Sequence, residues 1–158
     1  MRDEKGITML ILVITIILTL LIAVTATYSG IDTYKGMRVK TFSEQLKIVR
    51  ERVEVVKDKA STNSEISLNS LGRSLDELDS SLRDDIINSI NNSGELSANS
   101  ANYRYFETSD LKEDLGVEIE DFAVAIDFDR SVVIGVRGVE YEGHVVYTQK
   151  QIDEINNN

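Results

Sequence analysis

Apolar and polar positions along the chain change period three times, and each change marks an element. From Ile7 to Thr27 the sequence runs ITMLILVITIILTLLIAVTAT, 21 residues without a charge. At 1.5 Å of rise per residue it measures about 30 Å as a helix, the thickness of a hydrocarbon core, so it reads as a transmembrane helix. A secretory signal peptide is the closest rival, but the run is longer than a usual apolar core of one and lacks a clean small-x-small end. Thr8, Thr15, Thr19, Ala23 and Ala26 recur at spacings of 7, 4, 4 and 3 on one stripe of this helix. Small residues there let helices approach closely, and the threonine hydroxyls can bond across or back to their own helix.

The pattern then becomes amphipathic. Val39, Phe42, Leu46, Val49, Val53 and Val56 follow spacings of 3, 4, 3, 4 and 3, with Lys40, Lys47, Arg50, Glu51, Glu54 and Lys57 on other faces. No proline interrupts, and Gly30 and Gly36 are the only weak points. One helix is therefore expected from about Ile7 to Lys59, about 80 Å long, its second half packed on a head.

The head reads as α+β. Residues 60–71 are Ser/Asn-rich and loop-like. Ser74 and Glu77 form a capping box ahead of Leu75, Leu78, Leu82, Ile86 and Ile90 at helical spacing. A turn-rich stretch, 91–102, precedes a strand over 103–107. Ser109 is expected to cap a short helix ending at Leu115, with Gly116 in the left-handed cap position. Residues 122–128 and 132–136 read as a hairpin, 145–147 as a third strand, and Thr148 with Gln151 as the cap of a last short helix.

Charge adds a second layer. The chain carries 17 Lys+Arg, 27 Asp+Glu and a formal net charge of −10, with neither Cys nor Pro. Residues 1–6 are neutral; 28–60 carry 8 basic and 5 acidic residues; 61–158 carry 7 basic and 20 acidic. So acidic a head repels phosphate backbones, which argues against nucleic-acid binding by it. The missing cysteines exclude disulfides, thiolate zinc and thiol catalysis. His144 reads as a strand or surface histidine. Asp127 and Asp129, with Glu118, Glu120 and Asp121, offer oxygen ligands for a hard cation but lack EF-hand spacing. No phosphate loop, nucleophile elbow or zinc motif is present, so the chain reads as no enzyme, with no cofactor and no metal site.

Lys5-Gly6-Ile7-Thr8 followed by the uncharged run resembles the charged leader, cleavage-site glycine and apolar helix of prepilins of the type IV pilin and type II secretion pseudopilin superfamily. Tyr103-Arg104-Tyr105-Phe106, Asp110-Leu111-Lys112 and Leu115-Gly116-Val117 resemble heads of Gram-positive, clostridial-type pilin-like proteins. The resemblance covers about the first 28 residues by motif and the whole chain by architecture. It implies a leader (1–6), a transmembrane part (7–27), an amphipathic continuation (28–59) and an extracytoplasmic head (60–158). It further implies cleavage after Gly6 by a prepilin peptidase and N-methylation of Ile7. Other pilin subunits would pack through the N-terminal helix, with Ile11, Thr15, Thr19 and Ala23 as assembly positions. The chain would contact membrane lipid as a single-pass protein of the cell membrane, then reach a cell-surface filament. The family usually places Glu at the fifth mature position, where it neutralises a neighbouring subunit's amine; here that position is Ile11. A buried ammonium without a counter-charge is costly, which points to a minor pilin or pseudopilin. The alternative is a single-pass membrane protein whose acidic head binds a ligand or partner.

Overall fold

The computed structural model describes residues 3–63, 66–95 and 100–157, and among these the side chains of all but 3–11, 23–32 and 100. Helix α1 runs Asp3–Thr62. It contributes to two compact units, Met1–Met37 and Arg38–Asn158.

In the second unit the amphipathic stripe organises the fold. Val39, Phe42, Leu46, Val49 and Val53 are buried, and Val56 is partly so. They lie on one face of a four-stranded antiparallel sheet ordered β1 (Arg73–Ser74), β2 (Tyr103–Phe106), β3 (Val124–Asp127) and β4 (Val132–Gly135). Tyr103 pairs with Asp127, Phe106 with Val124, and Val124 with Gly135. Strand residues alternate between faces. Phe106, Val124, Ile126 and Val133 therefore share a core with α1, whereas Tyr103, Tyr105, Ala125 and Ile134 share another with Leu75, Ile86 and Ile90. Ile86 and Ile90 belong to α2 (Ser80–Asn92), which covers the second face. A sheet buried on both faces explains why β3, Val-Ala-Ile-Asp, lacks any polar alternation.

Helix α3 (Thr108–Leu115) follows β2, and a hairpin of β5 (Val139–Tyr141) and β6 (His144–Val146) precedes α4 (Gln149–Asn156). The head is thus α+β, as expected, with three local differences. The Ser74–Glu77 box is present, Ser74 N–H donating to Glu77 Oε2 at 3.2 Å, but it closes a single 3-10 turn (Leu75–Glu77). The helix behind it starts afresh, Asp79 accepting from Leu82 N–H at 3.0 Å. Helix α3 begins two residues earlier than a Ser109 cap requires, with Glu107 at the N-cap. Strand β5 and the two-residue β1 are additional to the expected sheet.

The membrane reading needs a larger correction. Among the described residues no helix is long and apolar enough to cross a membrane. The part of 7–27 whose side chains are described, 12–22, is eleven residues, about 16 Å of helix. That is about half of a hydrocarbon core. Side chains 7–11 and 23–27 lie outside the described residues. The transmembrane segment, the single-pass placement in the cell membrane and the anchor of the alternative reading are therefore not supported.

Candidate functional site

Two regions carry chemistry beyond packing. The first lies in the first unit, along α1. Leu12, Val13, Ile14, Ile16, Ile17, Leu18, Leu20, Leu21 and Ile22 are all exposed, from 45% to 68%. Successive helical residues are turned by about 100°, so these side chains leave no polar face. Of the expected assembly positions, Thr15 and Thr19 are described: Thr19 Oγ1 donates to the Thr15 carbonyl at 2.7 Å. Of the two roles open to these hydroxyls, Thr19 takes the bond within its own helix. Gly6, Ile7, Ile11 and Ala23 fall within α1, and their side chains lie outside the described residues.

The second region is the head's ionic and hydrogen-bonded network. Asp127 is fully buried. Its carboxylate accepts from the Arg130 main-chain N–H at 3.2 Å and from Arg130 Nε at 2.9 Å. Arg130 also donates through Nη2 to the Tyr103 hydroxyl at 3.0 Å. The bond to Asp127 raises the Arg130 pKa, and burial raises that of Tyr103 despite the opposing guanidinium. Lys57 of α1 reaches the same β3–β4 turn, donating to Ser131 Oγ at 2.8 Å. Asp127 is thereby committed to closing a turn, and the cation reading of the acidic residues gains nothing from its position. Glu118 is paired with Lys112 at 2.5 Å. Among the described residues no group of three His, Asp or Glu side chains is placed to hold a metal ion.

A further ionic cluster was not legible in the sequence. Arg73 on β1 pairs with Glu107 at 2.7 Å and Asp110 at 3.0 Å, and its guanidinium lies 5.1 Å from the Tyr105 ring centroid. The Glu107 bond, with Asp110 adding to it, raises the Arg73 pKa against the effect of burial. Asp114 meanwhile accepts from Gly72 N–H at 2.7 Å, so α3 holds the start of the short edge strand at two adjacent residues. Nothing in the residue types at 73, 107 and 110 foretold a contact across more than 30 positions.

His144, exposed at the start of β6, lines a cavity of about 510 Å³ with Val145, Val146, Tyr147, Gln151 and Ile155. It is a strand histidine, as expected. Comparison with protein-family models, with curated proteins and with solved structures finds no match.

Proposed function

We propose that this protein is a structural subunit, a minor pilin or pseudopilin, of a type IV pilus or type II secretion-like filament. In this reading it is cleaved after Gly6 and assembled with other pilin subunits through its N-terminal helix. One observation carries it: the helical segment 12–22 exposes large apolar side chains on every side. Such a surface is stable only when covered, and burying each half-exposed side chain contributes on the order of 1 kcal/mol. Neighbouring copies of the same helix, packed around it, would cover all sides at once. The leader-like Lys5-Gly6-Ile7 immediately before it agrees with this reading. So does the seating of the 39–53 stripe in the head, which commits that face of α1 to the head's own core.

The test is processing. Coexpressed with a prepilin peptidase, the chain is expected to lose Met1–Gly6 and start at an N-methylated Ile7, read by intact mass. Gly6→Leu should prevent both changes. A chain that keeps its first six residues in the presence of an active peptidase would overturn the proposal.

A further inference from the structure

The open edge of β6 has the features of a peptide-docking site. Glu142 and Gly143 join β5 to β6 with positive φ of 48° and 78°, a two-residue turn. In such a hairpin the residues flanking the turn, Tyr141 and His144, form the hydrogen-bonded pair. The next pair, Glu140 with Val145, is then the non-hydrogen-bonded one. Val145 therefore turns its own N–H and C=O away from β5, and no hydrogen bond among the described residues takes them up. Its side chain is 52% exposed, whereas Val146 beside it is buried.

The cavity follows this edge. Four successive residues, His144 to Tyr147, line it, and successive residues share an edge rather than one face of a strand. Opposite stand Gln151 and Ile155 of α4. Gln151 already imitates a partner strand at the far end. Its Oε1 accepts from Tyr147 N–H at 2.7 Å, and its Nε2 donates to the Asn92 carbonyl at 2.8 Å. The Tyr147 carbonyl on the same edge accepts from Gly135 N–H at 2.9 Å, so both main-chain groups of Tyr147 are engaged and the edge left to an added strand is that of Val145.

Natural edges are blunted by very short strands, lysine, proline, a bulge or a covering helix. Strand β6 is short, three residues, but His144-Val145-Val146 holds no lysine or proline. The surrounding stretch is acidic on balance: Glu140, Glu142, Asp153 and Glu154 stand against Arg137 and Lys150, the latter 4.0 Å from Glu95.

From these observations we infer that β6 accepts an extended, basic peptide segment of a partner protein as an added strand. Main-chain bonds at Val145 supply the attachment, and the acidic surroundings select the charge. The inference is independent of filament assembly and stands or falls separately from it.

A fluorescently labelled short peptide of alternating lysine and valine, titrated with the full chain, tests it by anisotropy. Binding is expected with a dissociation constant on the order of 100 µM. A glutamate–valine peptide should bind at least about tenfold more weakly. Val145→Pro removes the outward N–H without touching the β5 ladder and should weaken binding at least about tenfold, whereas Val145→Ala should retain it. Should Val145→Pro fail to fold, N-methylation of alternate amides in the peptide makes the same test on the unaltered chain. Equal binding of the two peptides, indifference to N-methylation, or no binding at about 1 mM would each overturn the inference.

Discussion

Arg52, in the amphipathic part of α1, donates its Nε–H to the main-chain carbonyl of Leu115, the last residue of α3. Gly116 follows in the left-handed conformation, φ 65°, and a Cβ there would stand 3.1 Å from the Arg52 guanidinium. The cap and the cation are therefore one device: a positive charge on the negative end of a short helix, admitted because the cap has no side chain. Gly116→Ala should cost about 1–2 kcal/mol through backbone conformation alone and more through crowding of Arg52. Arg52→Met, which keeps the stem and removes the donor, should cost about 1–2 kcal/mol. Urea denaturation followed by circular dichroism measures both. A double variant losing less than the sum of the two would show the coupling directly.

The stripe on α1 makes a sharper comparison. Leu46 is buried at 2% exposure against the sheet, whereas Ile48, two residues on, is 49% exposed. Leu46→Ala should destabilise by about 2–5 kcal/mol, and Ile48→Ala by less than about 0.5 kcal/mol. Equal losses in denaturant midpoint would contradict the packing.

Gly135 on β4 fixes how closely α1 approaches the sheet. A Cβ at this position would lie 2.5 Å from Phe42 Cζ. That ring is buried and meets Phe122 edge-on, centroids 5.9 Å apart. Gly135→Ala should cost about 1–3 kcal/mol, since the buried ring would have to shift to admit the methyl group. Gly135→Ala combined with Phe42→Leu should recover part of this loss, read as a partial return of the melting temperature.

These sites also show where sequence pattern suffices. The α1 stripe repeats over more than four turns, and burial follows such a repeat almost unavoidably. The Gly116 cap is equally local. Strands β1 and β5, of two and three residues, are too short to hold a period, and they exist because tertiary partners reach them. For β1 those partners are Glu107, Asp110 and Asp114. At Ser74 and Asp79 two caps fall within six positions, and only packing of the Leu75 turn decides that the second starts the helix. The cavity beside β6 depends on where the Gln151 amide is held, and no spacing encodes that. Lack of charge in 7–27 defines an apolar surface, but it does not specify the covering, and the membrane reading went beyond it.

Burial of Tyr103 has a consequence at alkaline pH. Its pKa is raised above the ordinary value of 10.0, chiefly by desolvation, with Arg130 opposing. The folded state thus keeps the proton after the unfolded chain has released it. Stability is unaffected below about pH 10 and falls as pH rises from there through the folded-state value. Tyr103→Phe should flatten this decline while costing about 1 kcal/mol at neutral pH for the lost bond to Arg130. Denaturant midpoints for both proteins, measured from pH 8 to 11, check it; parallel curves would exclude the assignment.

The exposed helical segment makes the last comparison, between Thr19 and Ile17. Thr19 bonds back to Thr15 at 2.7 Å, so its hydroxyl is satisfied before any neighbour arrives. Thr19→Val keeps the shape, removes both the hydroxyl and its need for a partner, and should leave assembly by sedimentation within about twofold of the parent. Ile17, 51% exposed, has the opposite character. In the proposed assembly Ile17→Lys would bring a charge between helices, where desolvation without a counter-charge costs several kcal/mol. The assembled fraction should drop at least about tenfold while the head's denaturation midpoint stays unchanged, because Ile17 belongs to the other compact unit. Loss of assembly in Thr19→Val with retention in Ile17→Lys would reverse the roles given to the two residues, and with them the case for assembly through an apolar helix.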